Sequence, residues 1–212
     1  MVNIYKMVKY TLHYFPVNGR AVVPRAILSC AKADWVDDRI AMTDWPKIKK
    51  SGLCEFEQLP ILEIEGKKYS QSNAINIYLA ETFNLMGKSP EENYQITNLL
   101  MTFDDFMGPC FAYMFCKDES KMEELRKVAL DKVKFFIGQI EKRYISLGKG
   151  KYFLGDKLTL ADIYIATAFP AAFDLLKEKE CPCKEVASNL AELIKRLKEN
   201  ELKEFYEKYY VK

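Results

Sequence analysis

The stretch LHYFPVNGRAVVPRAIL, residues 12–28, places a tyrosine and an arginine at a turn between a strand pattern and a helix pattern. Strand-to-helix turns present backbone N–H groups and reactive side chains to ligands. This turn has neither the glycine spacing of a phosphate-binding loop nor a Ser, Cys or Asp nucleophile. The chemistry it offers is therefore hydrogen-bond donation by the Tyr14 hydroxyl and positive charge from Arg20.

The composition disfavours histidine-dependent catalysis. The chain has one histidine, His13, so a Ser-His or Cys-His pair would have to use it. His13 directly precedes Tyr14 on the strand pattern, and neighbouring strand residues point to opposite sides. We therefore expect His13 to face away from Tyr14 and no catalytic triad to form.

The six cysteines do not suggest a disulfide-rich protein. Cys181 and Cys183 form a C-P-C motif, which gives little support for zinc without a second pair or a nearby histidine. The sequence predicts no metal site, and the role of the C-P-C pair stays open. The other cysteines lie in apolar or amphipathic segments, which are typical of buried reduced thiols: Cys30, Cys54, Cys110 and Cys116.

The charge balance argues against nucleic acid and anionic membranes as partners. The chain has 32 basic and 30 acidic side chains, and a net charge of +2 gives no electrostatic footprint for either. The N-terminal segment is interrupted by Lys6, Lys9 and His13 and lacks the apolar core of a signal peptide. No stretch approaches the roughly 18 apolar residues of a membrane span. We expect a cytoplasmic protein.

Residues 1–87 alternate between strand and helix patterns. β-Branched and aromatic residues predict the strands, the turn at Glu65-Gly66 predicts a hairpin, and Ser72 is the predicted N-cap of the next helix. A small mixed sheet with helices on its faces follows from this order. The predicted elements are strand 8–15, helix 20–33, strand 35–42, an irregular segment, strands 60–66 and 67–71, and helix 72–83.

Beyond Gly87 the strand patterns end, and residues 88–212 are predicted to be all-helical. Ser89 begins one helix as its N-cap, and Thr159 with Asp162 forms the capping box of another. The predicted helices are 90–116, 120–146, 159–178, 184–198 and a short one near 201–209. The fold class is therefore an α/β domain followed by an all-α domain, joined within the segment NLMGKSP.

Five strings, in order and at fitting spacing, resemble the cytosolic glutathione transferases of the sigma class. They are YTLHYFPVNGRA, DWPKIK (44–49), QLPILEIEGKKYSQSNAI (58–75), FDDFM (103–107) and LTLADIY (158–164). The resemblance covers nearly the whole chain from Met7 onward. It implies a thioredoxin-like, glutathione-binding domain at 1–87. It also implies a helical domain at 88–212 that forms the electrophile pocket and part of a dimer interface.

The resemblance makes glutathione the co-substrate and Tyr14 the residue that activates its thiol. A free thiol of this kind has a pKa near 8.5, and lowering it by about two units requires roughly 2.7 kcal/mol of thiolate stabilisation. One hydrogen bond to a charged group supplies about 1.5–3 kcal/mol, so a single hydroxyl donor is enough. Arg20 would polarise the same place. Without the five strings, Tyr14 would more simply be a core aromatic.

The resemblance assigns glutathione's backbone and γ-glutamyl group to two short segments. Leu59 precedes the family's cis-proline, Pro60, and its N–H and C=O would pair with the cysteinyl backbone like an added strand. Gln71 and Ser72 would hold the γ-glutamyl carboxylate, because a helix N-terminus favours an anion. A strand-leading proline and a plain N-cap are the simpler interpretations of these segments.

The remaining glutathione contacts rest more heavily on the resemblance. Trp45 and Lys49 match the positions that bind the glycyl carboxylate, although Trp45 could instead be a packing residue. Gln58 stands where some members have lysine. Asp105 matches the acid that reaches the γ-glutamyl amine of glutathione bound by the neighbouring subunit of a homodimer, although adjacent acids in a helix are usually only solvated.

The electrophile pocket and the strength of catalysis are less well defined. Val22 stands where members usually have an acid, and Asn76 where they usually have Arg or Lys, which leaves their effect on catalysis open. The pocket would be apolar and aromatic, which does not identify the electrophile. Its predicted lining, besides Arg20, is Phe15, Val17, Met107, Tyr113 and Tyr164.

Other functions compete with transfer of glutathione to electrophiles in detoxification. Family variants also reduce hydroperoxides or isomerise prostaglandin endoperoxides, and some relatives are non-catalytic, either crystallin-like or ligand-binding. A thiol oxidoreductase is disfavoured, because the first turn carries Tyr14 and no C-x-x-C motif. The intact polar set around Tyr14 favours the transferase.

Overall fold

The computed structural model describes residues 8–178 and 183–211, so the C-P-C motif falls largely outside the described residues. The described residues form two compact units. The first comprises those up to Asn84 together with those from Glu201 onward, and the second is Leu85–Asn200. The last helix, which the sequence analysis placed in the helical domain, thus belongs with the N-terminal unit.

A four-stranded mixed sheet is the centre of the first unit. The strands are β1 (Lys9–Tyr14), β2 (Asp34–Arg39), β3 (Ile61–Ile64) and β4 (Lys67–Ser70). Their order is β2-β1-β3-β4, with β1 parallel to β2 and antiparallel to β3. β3 and β4 are also antiparallel. This confirms the sheet and the hairpin that the strand patterns predicted.

Helices of the first unit differ from the prediction at their starts. A 3-10 turn, Gly19–Ala21, precedes α1 (Val22–Cys30), and a short helix, α2 (Trp45–Ile48), lies in the segment expected to be irregular. The N-cap of α3 (Ser72–Thr82) is Gln71 and not Ser72, so that prediction was wrong. The reason is that Gln71 turns the chain with a φ of 70°, which places Ser72 inside the first helical turn.

The second unit is all-helical among its described residues. It contains α4 (Pro90–Met114), α5 (Glu119–Ser146), α6 (Leu160–Leu175), α7 (Cys183–Val186) and α8 (Ser188–Glu199). The single helix predicted over 184–198 is interrupted at Ala187. The cause is Glu141 on α5, whose carboxylate accepts hydrogen bonds from the N–H groups of Asn189 (3.0 Å) and Leu190 (2.9 Å) and so caps a new helix there.

The start of α6 confirms the predicted pairing of Thr159 with Asp162. The buried Asp162 carboxylate accepts hydrogen bonds from the N–H (2.8 Å) and hydroxyl (2.9 Å) of Thr159 and from the N–H of Phe153 (2.7 Å). Burial nevertheless raises the pKa of Asp162 to about 6, because the charged form is desolvated.

Within the part of the chain that the structure describes, no helix is long and apolar enough to cross a membrane.

Candidate functional site

The hydroxyl of Tyr14 is held in place by the turn that follows it. Tyr14 is buried at the end of β1, and its oxygen accepts a hydrogen bond from the backbone N–H of Arg20 at 3.1 Å. A phenol both donates and accepts, so this bond leaves the hydroxyl proton available to a ligand. The two residues predicted to do chemistry therefore interact: the Arg20 N–H binds the Tyr14 oxygen, and the positive charge of Arg20 acts on the same hydroxyl.

Tyr14 is a proton-bearing donor at neutral pH. Burial raises its pKa above the ordinary value, while the N–H of Arg20 and the positive charges of Arg20 and Arg25 lower it by less. His13 does not take part, because it lies on the other side of β1, with Nδ1 2.6 Å from Asp38 Oδ2. The site therefore suits stabilisation of an anion by a neutral hydroxyl and not general-base catalysis.

Gly19 lets the backbone pass close to the Tyr14 hydroxyl. Its φ is +39°, and a Cβ added there would lie 2.6 Å from the Tyr14 oxygen. Real Cβ atoms do not approach an oxygen this closely, so any side chain would push the tyrosine or the turn aside. A glycine at this position is thus required by contact as well as by backbone conformation.

Replacing Gly19 with alanine is expected to lower glutathione-dependent turnover about 10-fold, because a displaced hydroxyl loses roughly 1.4 kcal/mol of thiolate stabilisation. The measurement is steady-state kinetics with saturating glutathione. Gly148→Ala is the matched control, since Gly148 also has a positive φ of 88° but nothing within 4 Å of the added Cβ. Equal effects of the two substitutions would mean that contact with Tyr14 is irrelevant.

The sequence analysis missed Arg25, which fixes the loop behind Tyr14. Its fully buried guanidinium donates to the carbonyl oxygens of Val17 (2.6 Å) and Phe15 (3.0 Å) and to Asp37 Oδ1 (2.9 Å). Its carbon lies 5.7 Å from the centre of the Tyr14 ring. A charged residue within the apolar run AVVPRAIL was the available signal, because such a residue is seldom buried without partners.

The Phe15 ring links Tyr14 to Trp45, which is one of the two residues predicted to bind the glycyl carboxylate. The Phe15 ring contacts the Tyr14 ring and the Trp45 ring, with centroids 5.4 Å apart in both pairs. Trp45 begins α2 and is half-buried. Lys49, one turn later, forms an ion pair with Glu57 at 3.3 Å, and Gln58 is exposed beside it.

The two other predicted glutathione segments have unusual backbones. The Leu59-Pro60 peptide bond is cis, as the resemblance implied. Gln71 has a φ of 70° and a ψ of 108°, which a residue with a side chain rarely adopts. Backbone strain of this kind concentrates at ligand sites. The strained residue Gln71 directly precedes the N-terminus of α3, where Ser72 is buried.

The predicted residues of the helical unit have contrasting environments. Asp105 is exposed on α4, and Met107 and Tyr113 are buried on the same helix. Tyr164 is fully buried, with its ring 6.3 Å from those of Phe103 and Phe169. Tyr164 is therefore part of the core between α4 and α6, and its predicted place in the electrophile pocket stays a prediction.

The two departures from the family pattern lie in one packed layer. Val22 on α1 and Asn76 on α3 are both buried, and these helices pack against each other. The buried Asn76 Oδ1 has no hydrogen-bond partner among the described residues. No group of three or more His, Cys, Asp or Glu side chains among the described residues could hold a metal ion.

Two family models match the chain over most of its length. "Glutathione S-transferase, N-terminal domain" covers residues 9–81, and "Glutathione S-transferase, C-terminal domain" covers residues 104–209. The chain belongs to the glutathione S-transferase family. The resemblance read from the five strings is thereby confirmed, together with the fold.

Curated relatives and solved structures agree with this family. "Probable glutathione S-transferase 7" of Caenorhabditis elegans is 37% identical over 76% of this chain and 78% of its own length. "Hematopoietic prostaglandin D synthase" of Rattus norvegicus is 32% identical over 74% of this chain and 76% of its own. The structure of monomeric Na-GST-3, a glutathione S-transferase from Necator americanus, has a TM-score of 0.81 at 27% identity, covering 96% of this chain and 98% of that one.

Proposed function

We propose that this protein is a glutathione transferase that joins the thiolate of glutathione to hydrophobic electrophiles. The observation that carries the proposal is the Tyr14 hydroxyl, which accepts a hydrogen bond from the Arg20 N–H and keeps its own proton for a ligand. Relatives named as glutathione S-transferases support the same reaction. A non-catalytic role has no support in the geometry, because the donor and its orienting contacts are intact.

Tyr14 acts by stabilising the ionised thiol. Its hydroxyl donates to the sulfur, and one such charge-assisted bond supplies about 1.5–3 kcal/mol, which lowers the thiol pKa by roughly one to two units. The positive charge of Arg20 adds to this effect. The thiol releases its proton to water, so no general base is needed. The thiolate then attacks the electrophilic carbon, and either the halide of an aryl halide leaves with the electrons of the broken carbon–halogen bond or the double bond of an unsaturated aldehyde opens and takes up a proton from water. Phe15 and Val17, which adjoin Tyr14 along the chain, are the proposed electrophile contacts in this unit.

Glutathione itself is bound by main-chain groups and polar side chains of the first unit. We assign its cysteinyl backbone to the N–H and C=O of Leu59, and its γ-glutamyl carboxylate to Gln71 and Ser72 at the start of α3. Trp45 and Lys49 would bind the glycyl carboxylate. Lys49 would have to give up its ion pair with Glu57 to bind the glycyl carboxylate. The loss in free energy is small, since exposed ion pairs contribute at most about 1 kcal/mol.

The test is a screen for glutathione-dependent turnover with aryl halides, unsaturated aldehydes, hydroperoxides and prostaglandin H2. Transfer to at least one electrophilic carbon supports the proposal, and glutathione binding without any turnover supports the crystallin-like or ligand-binding alternative. The prostaglandin arm is included because relatives carry the name prostaglandin D synthase. We place the activity in the cytoplasm, because Cys30, Cys54, Cys110 and Cys116 are free thiols, as expected in a reducing compartment.

We further propose a homodimer in which Asp105 reaches the glutathione bound by the partner. Asp105 is exposed in the single chain and so is available to an amine. The assignment needs a test of its own, since one relative is described as monomeric. The electrophile contacts predicted on the helical unit, Met107 and Tyr113, stay predictions.

Mixing two weakened variants is expected to restore part of the activity. In a heterodimer of Tyr14→Phe and Asp105→Asn chains, one site carries both changes and the other carries neither. Asp105→Asn alone should raise the KM for glutathione and leave the thiol pKa unchanged. Sedimentation at micromolar concentration checks the assembly, and a fully active monomer would contradict the shared site.

A further inference from the structure

The C-terminal segment of the chain, residues 202–211, is packed onto the N-terminal unit. Leu202 and Phe205 are buried, and α9 (Lys203–Lys208) lies against α1. Beyond α9, the Tyr209 ring lies 4.6 Å from the Trp35 ring, and its carbonyl oxygen accepts a hydrogen bond from Arg39 at 2.8 Å. These contacts bind Tyr209 to β2 and so hold the start of the segment that follows it.

This anchored segment makes two hydrogen bonds to the turn that follows Tyr14. The Asn18 amide nitrogen donates to the carbonyl oxygen of Val211 at 2.7 Å, and the Val211 N–H donates to the Asn18 amide oxygen at 3.0 Å. The side-chain amide thus pairs with the Val211 main chain as another peptide group would. Asn18 occupies the N-cap position of the 3-10 turn, yet its side chain makes no cap hydrogen bond.

The loop that follows Tyr14 is restrained by Arg25 as well as by Val211. On one side Arg25 holds the carbonyl groups of Phe15 and Val17, and on the other Val211 holds Asn18. The next residues along the chain are Gly19, which passes the Tyr14 hydroxyl closely, and Arg20, whose N–H donates to it. A small displacement of Asn18 is thus transmitted over two residues to the donor of that bond.

We propose that Asn18 and the Val211 main chain are positioning groups, which hold the Arg20 N–H against the Tyr14 hydroxyl and thereby set the ionisation of the glutathione thiol. The inference rests on the proposed function, because it concerns the thiol that Tyr14 activates. It adds to that function a role for the last residues of the chain.

The test compares pH profiles of kcat/KM for an aryl halide, measured at saturating glutathione so that the profile reports the pKa of the enzyme-bound thiol. Asn18→Ala removes both bonds and is expected to move the apparent thiol pKa up by about 0.5 unit, which lowers the rate near neutral pH about threefold and hardly at high pH. Val211→Pro removes only the N–H donor and should cause a smaller shift in the same direction. Val211→Ala, which keeps both main-chain groups, is the matched control and should keep the native profile.

A double variant and a structural readout separate positioning from general damage. Asn18→Ala with Val211→Pro should shift the profile no further than Asn18→Ala alone, because both changes remove the same contact. Amide hydrogen exchange of residues 18–21 should become faster in Asn18→Ala without a change in the KM for glutathione. An unshifted profile, an equal loss at every pH, or unchanged exchange would each overturn the inference.

Tyr14→Phe, measured in the same assay, distinguishes the two proposals. If Tyr14→Phe raises the thiol pKa and Asn18→Ala does not, the positioning role fails and the proposed function stands. If Tyr14→Phe itself leaves the profile unchanged, the proposed function fails first, and exchange of residues 18–21 then reports on the Asn18–Val211 contact alone.

Discussion

Substitution of Tyr14 by phenylalanine is expected to lower turnover about 10–100-fold, which corresponds to the loss of roughly 1.4–2.7 kcal/mol of thiolate stabilisation. The change removes the hydroxyl and hardly alters the volume of the side chain. The buried ring should therefore keep its contacts with Phe15 and the Arg25 guanidinium. The change removes the donor to the sulfur and the acceptor of the Arg20 N–H, and neither group is assigned to bind the rest of glutathione, so the affinity for glutathione should change much less than the rate.

The measurement is ultraviolet titration of the glutathione thiolate bound to each protein, together with kcat. In Tyr14→Phe the thiol pKa should return towards its free value near 8.5. Tyr94→Phe is the matched control, because it makes the same chemical change on an exposed ring of α4. Unchanged turnover of Tyr14→Phe with several electrophiles would remove Tyr14 as the activating residue.

Substitution of Arg25 by methionine is expected to lower the free energy of unfolding by about 3–5 kcal/mol. A buried ion pair is costly to break from one side, because the Asp37 carboxylate then keeps, among the described residues, only the partly exposed Arg39 as a cationic partner. Here the Asp37 side chain is 8% exposed, and the carbonyl groups of Phe15 and Val17 each lose the guanidinium as a donor, while the Phe15 carbonyl keeps the Val17 N–H. The lost hydrogen bonds add to the destabilisation.

Urea unfolding at neutral pH measures this difference. Arg39→Met is the control, since Arg39 donates to the other carboxylate oxygen of Asp37 but its side chain is 33% exposed. Partly exposed pairs contribute about 1 kcal/mol or less, so the control should lose far less stability. Equal losses in the two variants would show that the burial of Arg25 has no energetic role. Any surviving Arg25→Met protein should also turn over more slowly, because the loop behind Tyr14 is released.

Local patterns in the sequence were sufficient for most of the elements and for the central donor. β-Branched and aromatic residues predicted the strands, and the Thr159-Asp162 spacing predicted the start of α6. Such signals are reliable because they report on groups within one turn or one strand of each other. The five strings placed Tyr14 at the end of β1 and predicted the cis peptide at Leu59-Pro60.

Contacts between distant parts of the chain were beyond these patterns, and the tertiary structure decided them. Glu141 breaks the helix predicted over 184–198, because its carboxylate arrives from another helix to cap α8. Likewise, α4 and α6 turn Tyr164 into a core residue. Glu141 and the α4 residue Phe103 both lie far along the sequence from the residues they affect, so no local periodicity records these contacts.

The same limit explains what the sequence determined about the site and what it did not. It determined that a hydroxyl at Tyr14 and a charge at Arg20 stand at one turn, since both residues lie within a few positions of each other. Only the fold decided that Arg25 and Val211 restrain that turn from two sides. Val211 contributes main-chain groups that every residue possesses, and a backbone contact across 193 positions leaves no trace in residue type.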